Sequence, residues 1–411
     1  MKNIEFDYPN KLEKLFEKLY FYDIKPIIVG GYVRDRLLNK DSKDIDIELY
    51  NLTDIQKLET ILKEFGTINL VGKSFGVCKL HYKGLDIDFS LPRVEEKISS
   101  GHRGFRVETK KDINFKIASS RRDFTINSIG YDVKNAKLLD PFYGIKDLKN
   151  RLLKHIDDKT FIEDPLRVFR AVGFISRFEL DVDEKTKELC SFIVKKNMLN
   201  ELPKERILQE LKKLYLKSTK VSLGFLFFST IGGDEFFSEL DMKSDNFKKT
   251  LTYLDNYDKN SFDDKTNLKL MLVLTLYFLD EEKIISFITK LTNQTNLAKD
   301  IIELIRYTNY IQNNKELNNY ELYNIARHVK FSQLLKLLEA IGEDIKNLQE
   351  RIISLDILQK PLKPLIDGKK LIELGYTPSC EFSKIIEEAY IAQMKGESLD
   401  KIYRIIELFD K

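Results

Sequence analysis

Short apolar runs rich in β-branched residues alternate with helix-like segments over the first 140 residues of the chain. The strand-like runs are "KPIIVGG", "DIDIELY", "INLVGK", "GVCKLHY" and "LDIDFSL". Between them, "YVRDRLLNK" and "TDIQKLETILKEF" place apolar residues at helical spacing. This alternation predicts an α/β or α+β domain.

From about residue 145 the strand pattern stops, and apolar residues recur every three or four positions. Examples are "ERILQELKKLYLK" and "FSQLLKLLEAIGEDIKNL". The longest apolar run, 268–279, is shorter than a bilayer span and contains Lys269, so it predicts a buried helix. The pattern predicts an all-helical remainder, with "DPFYGIKDLKN" (140–150) as the joint.

Composition narrows the class of protein. With 411 residues, 43% of them hydrophobic and 32% charged, the chain predicts a globular protein of two to four units rather than a disordered or membrane protein. No apolar stretch follows the basic start, so no secretory signal is expected, and a cytoplasmic location is predicted. No membrane and no protein partner is implied.

Charge and metal-ligating residues restrict the chemistry further. Residues 1–200 contain 37 basic and 32 acidic side chains, against 31 and 33 in 201–411, a mild bias that permits an anionic ligand near the first half. The three cysteines and four histidines are scattered, which argues against a disulfide framework and a Cys- or His-based metal site. Any bound metal is therefore expected on carboxylates.

The stretch "KDIDIELY" supplies such carboxylates. In a strand, Ile45 and Ile47 would enter a core while Asp44 and Asp46 share the opposite face. A solvated strand face and a helix-capping turn are the alternatives, since acid-x-acid triplets are common by chance. A second run, "GLDIDFSLPR", places Asp86 and Asp88 in the same way, and two adjacent strands of this kind would suit Mg²⁺.

Three further segments carry groups suited to a nucleotide. Gly30-Gly31 ends a strand and opens a helix, where backbone and Arg34 can approach a phosphate; a tight turn is the alternative. In "SSRRDFTINSIGYD", Arg122 suits a phosphate or ribose, or else a surface salt bridge with Asp123 or its neighbours.

The third segment is "EDPLRVFRAVGF", a helix start in which Asp164 either caps the helix or binds a ligand, with Arg167 and Arg170 along one side. One carboxylate acceptor and one guanidinium donor a turn apart would match the donor–acceptor order shared by cytosine and adenine, and would reject uracil and guanine.

These motifs are joined by "DPFYGIKDL" and "LPKERILQEL" within residues 27–212. In their order and spacing they resemble the motifs of the bacterial-type (class II) CCA-adding tRNA nucleotidyltransferases and of the related bacterial poly(A) polymerases. The resemblance implies an α+β fold with a palm-like nucleotidyltransferase head of mixed sheet and helices, followed by an all-helical neck, body and tail. The implied boundaries are 1–140 for the head, 141–215 for the nucleotide-selecting neck, and 216–411 for a tRNA-binding body and tail.

The resemblance also implies roles for individual residues. Addition of CCA to the tRNA 3′ end from CTP and ATP, with Mg²⁺ and release of pyrophosphate, is the expected reaction. Glu205 and Arg206 match a neck-stabilising motif. The implied site residues are Asp44 and Asp46 for metal and catalysis, with Asp88 as a further metal ligand, and Gly31, Arg34, Arg122, Asp164, Arg167 and Arg170 for the nucleotide.

The sequence departs from the family pattern at two places, and two alternatives to CCA addition stay open. Gly173 stands where the neck motif commonly has another arginine, and "TPSC" replaces a common Pro-Gly-Pro in a late segment. The segment "LPRVEEKISSGHRGF" (91–105) favours CCA addition. A bacterial poly(A) polymerase or an enzyme adding only CC or A is the first alternative, and a non-catalytic RNA-binding relative, which the intact Asp44/Asp46 pair disfavours, is another.

Overall fold

In the described residues of the first part of the chain, the strands form one mixed seven-stranded sheet and two small strand pairs. In chain order they are β1 (Lys25–Val29), β2 (Asp44–Tyr50), β3 (Ile68–Val71), β4 (Val77–Tyr82), β5 (Leu85–Ser90), β6 (Val94–Lys97), β7 (Phe105–Glu108), β8 (Gly130–Asp132), β9 (Lys137–Leu139), β10 (Leu152–Leu153) and β11 (Asp181–Val182). The large sheet has the order β3-β4-β5-β2-β1-β8-β9. Its β2–β5 pair is parallel and the other pairs are antiparallel.

The computed structural model describes residues 6–52, 54, 56–71, 77–97, 105–108 and 113–409. Within these ranges the chain divides into the units Met1–Phe236 and Phe237–Lys411. The boundaries expected at residues 140 and 215 both fall inside the first unit and stay predictions. Part of the segment 91–105 that favours CCA addition, residues 98–104, lies outside the described residues.

Helices complete the first unit. Its α-helices are α1 (Glu13–Phe21), α2 (Gly31–Leu37), α3 (Gln56–Leu62), α4 (Phe115–Ser120), α5 (Gly144–Lys149), α6 (Asp158–Glu163), α7 (Leu166–Phe178), α8 (Glu184–Lys195), α9 (Lys204–Lys217) and α10 (Val221–Thr230). Helix α7 packs against both α9 and α10. Its apolar side chains, such as Val168 and Ala171, are buried, as expected for one face of an amphipathic helix.

The two faces of the large sheet are covered unequally. One face, which includes Ile45 and Ile47, belongs to the main core together with residues of α1 and α3, as the alternation in β2 predicted. A smaller apolar cluster that includes Tyr50 and Ala118 covers only part of the other face. Asp44 and Asp46 lie on that second face and remain exposed.

The expected strands of the first 140 residues are confirmed, but the expectation that strands stop at residue 145 is wrong. Strands β10 and β11 pair in parallel, and the Asp183 N–H donates to the Leu153 carbonyl (3.0 Å) just beyond them. Each strand has only two residues, which is too short for an alternation of apolar and polar positions to be visible.

The regular elements of the second unit are all helices in its described residues. Its α-helices are α11 (Asp245–Asn256), α12 (Asp264–Thr275), α13 (Glu281–Leu291), α14 (Thr295–Asn313), α15 (Asn319–His328), α16 (Phe331–Ala340), α17 (Lys346–Ser354), α18 (Gly368–Glu373), α19 (Phe382–Met394) and α20 (Leu399–Ile406). Helix α12 carries fully buried Met271 and Leu272, which confirms the buried helix predicted from the longest apolar run. No helix in the described ranges is long and apolar enough to cross a bilayer.

The joint predicted at 140–150 is tightly packed rather than loose. The Asp140 carboxylate accepts hydrogen bonds from the backbone of Gly144 (2.7 Å) and Ile145 (3.0 Å). A Cβ atom on Gly144 would lie 2.1 Å from the Thr125 carbonyl oxygen, so only glycine lets α5 approach this closely.

We therefore expect Gly144→Ala to lower the free energy of unfolding by about 2–3 kcal/mol, since backbone atoms must move to admit the methyl group. Gly173→Ala is the matched control, because a Cβ there meets nothing within 4 Å inside α7. That variant should be as stable as the wild type or more stable by about 0.5–1 kcal/mol. Chemical unfolding followed by circular dichroism measures both; equal stability of the two variants would contradict the packing argument.

Candidate active site

A deep cavity of about 1230 Å³ opens in the first unit, where α2 begins, β2 begins, and α7 and α9 face them. The described residues that line it include twelve Lys or Arg and eight Asp or Glu. An excess of cationic side chains around a local group of carboxylates suits an anionic ligand that arrives with a cation. Of the site residues predicted from the sequence, only Asp88 does not line this cavity. Those that do are Gly31, Arg34, Asp44, Asp46, Arg122, Asp164, Arg167 and Arg170.

The parallel pairing of β2 with β5 aligns four aspartates. Asp44 lies opposite Asp86, and Asp46 lies opposite Asp88. The adjacent carboxylate strands expected from the sequence are thus present. On β5, however, Asp86 pairs with His81 (2.8 Å) and Asp88 with Lys79 (2.8 Å), so the carboxylates of β5 have protein partners.

Asp44 and Asp46 fit a hard divalent cation as a two-carboxylate site. Mg²⁺ in proteins is commonly bound by one or two carboxylates, with water and substrate phosphate completing its shell. Desolvation by the surrounding protein raises the pKa of Asp46 above its ordinary value. Arg122 acts in the opposite direction, and the nearby carboxylates of Asp88 and Asp44 add to the increase. Within the described ranges, no three His, Cys, Asp or Glu side chains form a metal-binding cluster, so ligands beyond this pair would come from substrate or water.

The glycine turn before α2 is shaped by a neighbouring arginine. Gly30 has φ +71°, and a Cβ on it would lie 2.8 Å from Arg122 Nη1 and 3.5 Å from Asp46 Oδ2. Arg122 therefore lies directly on the backbone of the turn, beside the Asp46 carboxylate. Both the positive φ and this close approach require glycine at position 30.

Arg122 is paired with a buried glutamate rather than with Asp123. Its Nη2 donates to Glu48 Oε1 (2.9 Å), and its Nη1 to the Asn127 carbonyl (3.2 Å). Burial alone would raise the pKa of Glu48, but the guanidinium groups of Arg122 and Arg121 outweigh it and hold the pKa below its ordinary value. The alternative of a surface salt bridge with Asp123 or its neighbours is therefore wrong: among the described residues, the ion pair of Arg122 is with a buried glutamate of β2.

Arg34 is enclosed by protein groups. Its side chain donates from Nε to Asp35 (2.8 Å) and from Nη1 to Asn127, and its guanidinium lies over the rings of Phe174 (5.1 Å) and Phe178 (4.7 Å). Only 3% of the residue is exposed, although it borders the cavity. Its assignment to the triphosphate stays a prediction; the observed contacts join α2 to α7.

Arg170 and Arg177 fix α7 to the head at two points. Arg170 donates to Asp123 (2.6 Å), and Arg177 donates to Asp35 (2.8 Å). Burial alone would raise the pKa of Asp123, but the Arg170 guanidinium and the Asn127 amide hold it below its ordinary value. These charge-assisted bonds set the position of α7 over the cavity.

At the start of α7, Asp164 has two partners. Its Oδ1 accepts a hydrogen bond from the Leu166 N–H (3.2 Å), which is a capping contact, and its Oδ2 lies 3.4 Å from Arg206 of α9. Arg167 donates to the Arg121 carbonyl (2.6 Å). The capping alternative for Asp164 is therefore present in the structure, and its role in base selection stays a prediction.

Sequence reasoning missed Glu48, Asp35, Asp123 and Arg177. Glu48 was detectable, because it continues the alternation of Asp44 and Asp46 on the same strand face. Asp35 and Asp123 directly follow arginines that were selected, and ordinary surface pairing was the simpler interpretation of such neighbours. Arg177 carried no local signal, since its partner lies 142 residues away.

Comparison with known proteins places this site in a family. Residues 27–154 match the family model described as the poly A polymerase head domain. The multifunctional CCA protein of Stenotrophomonas maltophilia is 38% identical over 193 residues, 46% of this chain and 45% of that protein, so the match spans about half of that relative's length.

A CCA-adding enzyme of Francisella tularensis subsp. novicida is 31% identical over 374 residues, covering 83% of this chain and 97% of the relative. Among solved structures, the Thermotoga maritima CCA-adding enzyme complexed with tRNA_CCA has a TM-score of 0.70 at 21% identity, covering 98% of this chain and 97% of that one. The Bacillus stearothermophilus CCA-adding enzyme in complex with CTP has a TM-score of 0.74 at 19% identity, covering 98% of each chain. The fold of a nucleotidyltransferase head with a helical remainder is thereby confirmed, and the similarity to nearly the whole Francisella enzyme shows that the chain belongs to the family of bacterial-type (class II) CCA-adding tRNA nucleotidyltransferases and poly(A) polymerases.

Proposed function

We propose that the protein adds CCA to the 3′ end of tRNA from CTP and ATP, with Mg²⁺ and with release of pyrophosphate. The observation that carries this proposal is the single cavity that brings Asp44 and Asp46 together with Asp164 and Arg167. A polymerising site needs its metal carboxylates and its base-selecting groups on either side of one nucleotide, and this cavity offers that arrangement. The near full-length match to the Francisella enzyme supports it.

The size and charge of the cavity are consistent with this chemistry. At about 1230 Å³ it exceeds the usual volume of a small-molecule pocket, which leaves space for an RNA end beside a nucleoside triphosphate. The cationic residues Arg121, Arg122 and Lys43 line the same cavity as the carboxylate pair. They would receive the phosphates, while Asp44 and Asp46 face the same space.

Nucleotidyltransferases generally use a divalent metal ion, and Mg²⁺ is our specific proposal for this chain. Held by Asp44 and Asp46, it would supply charge stabilisation at the primer 3′-hydroxyl and the α-phosphate. The chain itself would orient the triphosphate through Arg122 and the glycine turn at Gly30-Gly31. Little proton transfer by side chains is required, because positioning and electrostatics dominate phosphoryl chemistry.

Base selection is assigned to Asp164 and Arg167 at the start of α7. Both border the cavity, and both have hydrogen-bonding contacts within the protein that would orient them before the base arrives. Binding of a base would exchange the Arg206 contact of Asp164 for the exocyclic amine of cytosine or adenine. The later helices, 216–411, would hold the tRNA. The proposed location of the protein is the cytoplasm.

Removing one metal carboxylate tests the site directly. Asp44→Asn or Asp46→Asn is expected to lower nucleotide addition about a thousandfold or more, since charge stabilisation in the transition state is lost. Asp86→Asn on the adjacent strand is the matched control, because Asp86 pairs with His81 and does not line the cavity. Pyrophosphate release with tRNA, nucleotide and Mg²⁺ is the measurement; near-normal turnover of either first variant would remove the metal-site assignment.

Product length distinguishes CCA addition from its alternatives. With tRNA that lacks its 3′ end, CTP and ATP should extend the primer by three nucleotides and then stop. CTP alone should stop after two nucleotides, and ATP alone should extend only tRNA that already ends in CC. Growth of a long adenosine tail on unrelated RNA would instead identify a poly(A) polymerase, and no release of pyrophosphate would identify a non-catalytic relative.

The Asp164→Asn and Arg167→Ala variants separate capping from base selection. Asparagine caps a helix about as well as aspartate, so a cap alone predicts unchanged selectivity for Asp164→Asn. If these side chains select the base, the kcat/KM ratios of CTP and ATP over UTP and GTP should fall at least about tenfold. Asp183→Asn, which alters the aspartate cap of α8 away from the cavity, is the control. Unchanged ratios in both test variants would contradict base selection by this pair.

A further inference from the structure

A fully buried glutamate lies two residues beyond the metal carboxylates on the same strand. The Glu48 side chain has 0% exposure and is contacted by Arg122 Nη2 (2.9 Å), Arg121 Nη2 (3.4 Å) and the Tyr50 hydroxyl (3.1 Å). A buried carboxylate is costly unless it is paired, so this group is held in place by the arginines. It does not line the cavity and cannot itself contact a nucleotide there.

Arg122 lies between this glutamate and the metal carboxylates. Arg122 Nη1 and Asp46 Oδ2 both lie within 3.5 Å of the same point beside Gly30. Within the described part of the chain, the ion pair of Arg122 nevertheless runs to Glu48 and not to Asp46. Its Nη1 is fixed by the Asn127 carbonyl (3.2 Å), so both ends of the guanidinium are oriented.

The Asp46 carboxylate is a second possible ion-pair partner for the Arg122 guanidinium, besides Glu48. Arginine forms bidentate, charge-assisted pairs with carboxylates, and such a pair at Asp46 would occupy the oxygens that a divalent cation needs. Without a competing anion, the Arg122 guanidinium would be free to turn toward Asp46. The buried negative charge of Glu48 opposes that rotation.

We infer that Glu48 is a positioning residue, the counter-ion that keeps Arg122 off Asp46, so that the carboxylate pair stays available to the cation and Arg122 faces the nucleotide. This inference rests on the proposed metal site. A purely structural role for Glu48, which would only join β2 to the segment after α4, predicts a loss of stability with no change in metal affinity.

The test measures binding of Mn²⁺ to the full chain by electron paramagnetic resonance, without nucleotide or tRNA. Glu48→Gln is expected to weaken Mn²⁺ binding about tenfold or more, because Arg122 is then free to pair with Asp46. Arg122→Gln should not weaken it. The double variant Glu48→Gln/Arg122→Gln should return to within about threefold of the wild type, since the competing cation is gone.

Glu239→Gln is the matched control for loss of a buried, paired glutamate, because Glu239 pairs with Lys290 (2.8 Å) in the second unit. Its Mn²⁺ affinity should be unchanged. If Glu48→Gln does not fold, Glu48→Asp withdraws the carboxylate from Arg122 by one carbon, and an intermediate loss of affinity is expected.

Wild-type Mn²⁺ affinity in the folded Glu48 variant would overturn the inference, as would a double variant that binds as weakly as Glu48→Gln. Asp46→Asn separates this failure from failure of the proposed function. If Asp46→Asn also binds Mn²⁺ normally, the metal site itself is wrong; if it loses binding while the Glu48 variant does not, only the role of Glu48 is wrong.

Discussion

Repulsion among the carboxylates of β2 is the constraint around which the head is organised. Asp44, Asp46 and Glu48 lie at alternate positions on one strand face, and the parallel partner strand adds Asp86 and Asp88. Like charges this close destabilise a sheet unless cations compensate them. Among the described residues, Glu48, Asp86 and Asp88 each have a cationic or hydrogen-bonding partner. No side-chain hydrogen bond or ion pair in the same ranges reaches the carboxylates of Asp44 and Asp46, so an added cation would relieve the repulsion there.

Other arginines, which pair with carboxylates outside β2, link separate parts of the first unit. Arg34 joins Asp35 to Asn127, Asn127 joins Asp123, and Asp123 receives Arg170 from α7. Arg177, two turns further along α7, returns to Asp35. Ionic contacts therefore attach this helix at two points, to the segment after α4 and to α2. They fix the position of its first turn relative to the carboxylate pair.

Local patterns predicted much of this fold because they depend on neighbours in the sequence. The segment "DIDIELY" coincides with β2, and its first four residues alternate between exposed and buried, as a strand with one buried face requires; from Glu48 onward every residue is buried. Strands β10 and β11 were missed because two residues carry no period. The close approach of Gly144 to Thr125 could not be predicted from the sequence for a different reason. It joins backbone atoms of two segments that only the folded chain brings together.

By itself the sequence determined that carboxylates of β2 share a face, that arginines and glycines suited to phosphate surround them, and that a helical remainder follows the sheet. Strand and helix periods and short motifs carry that information locally. Tertiary structure decided the partners: Arg122 with Glu48, Arg34 with Asn127, and Arg177 with Asp35. Which of several arginines faces a ligand and which one is enclosed by protein depends on long-range packing, because identical side chains differ only in what the fold places beside them.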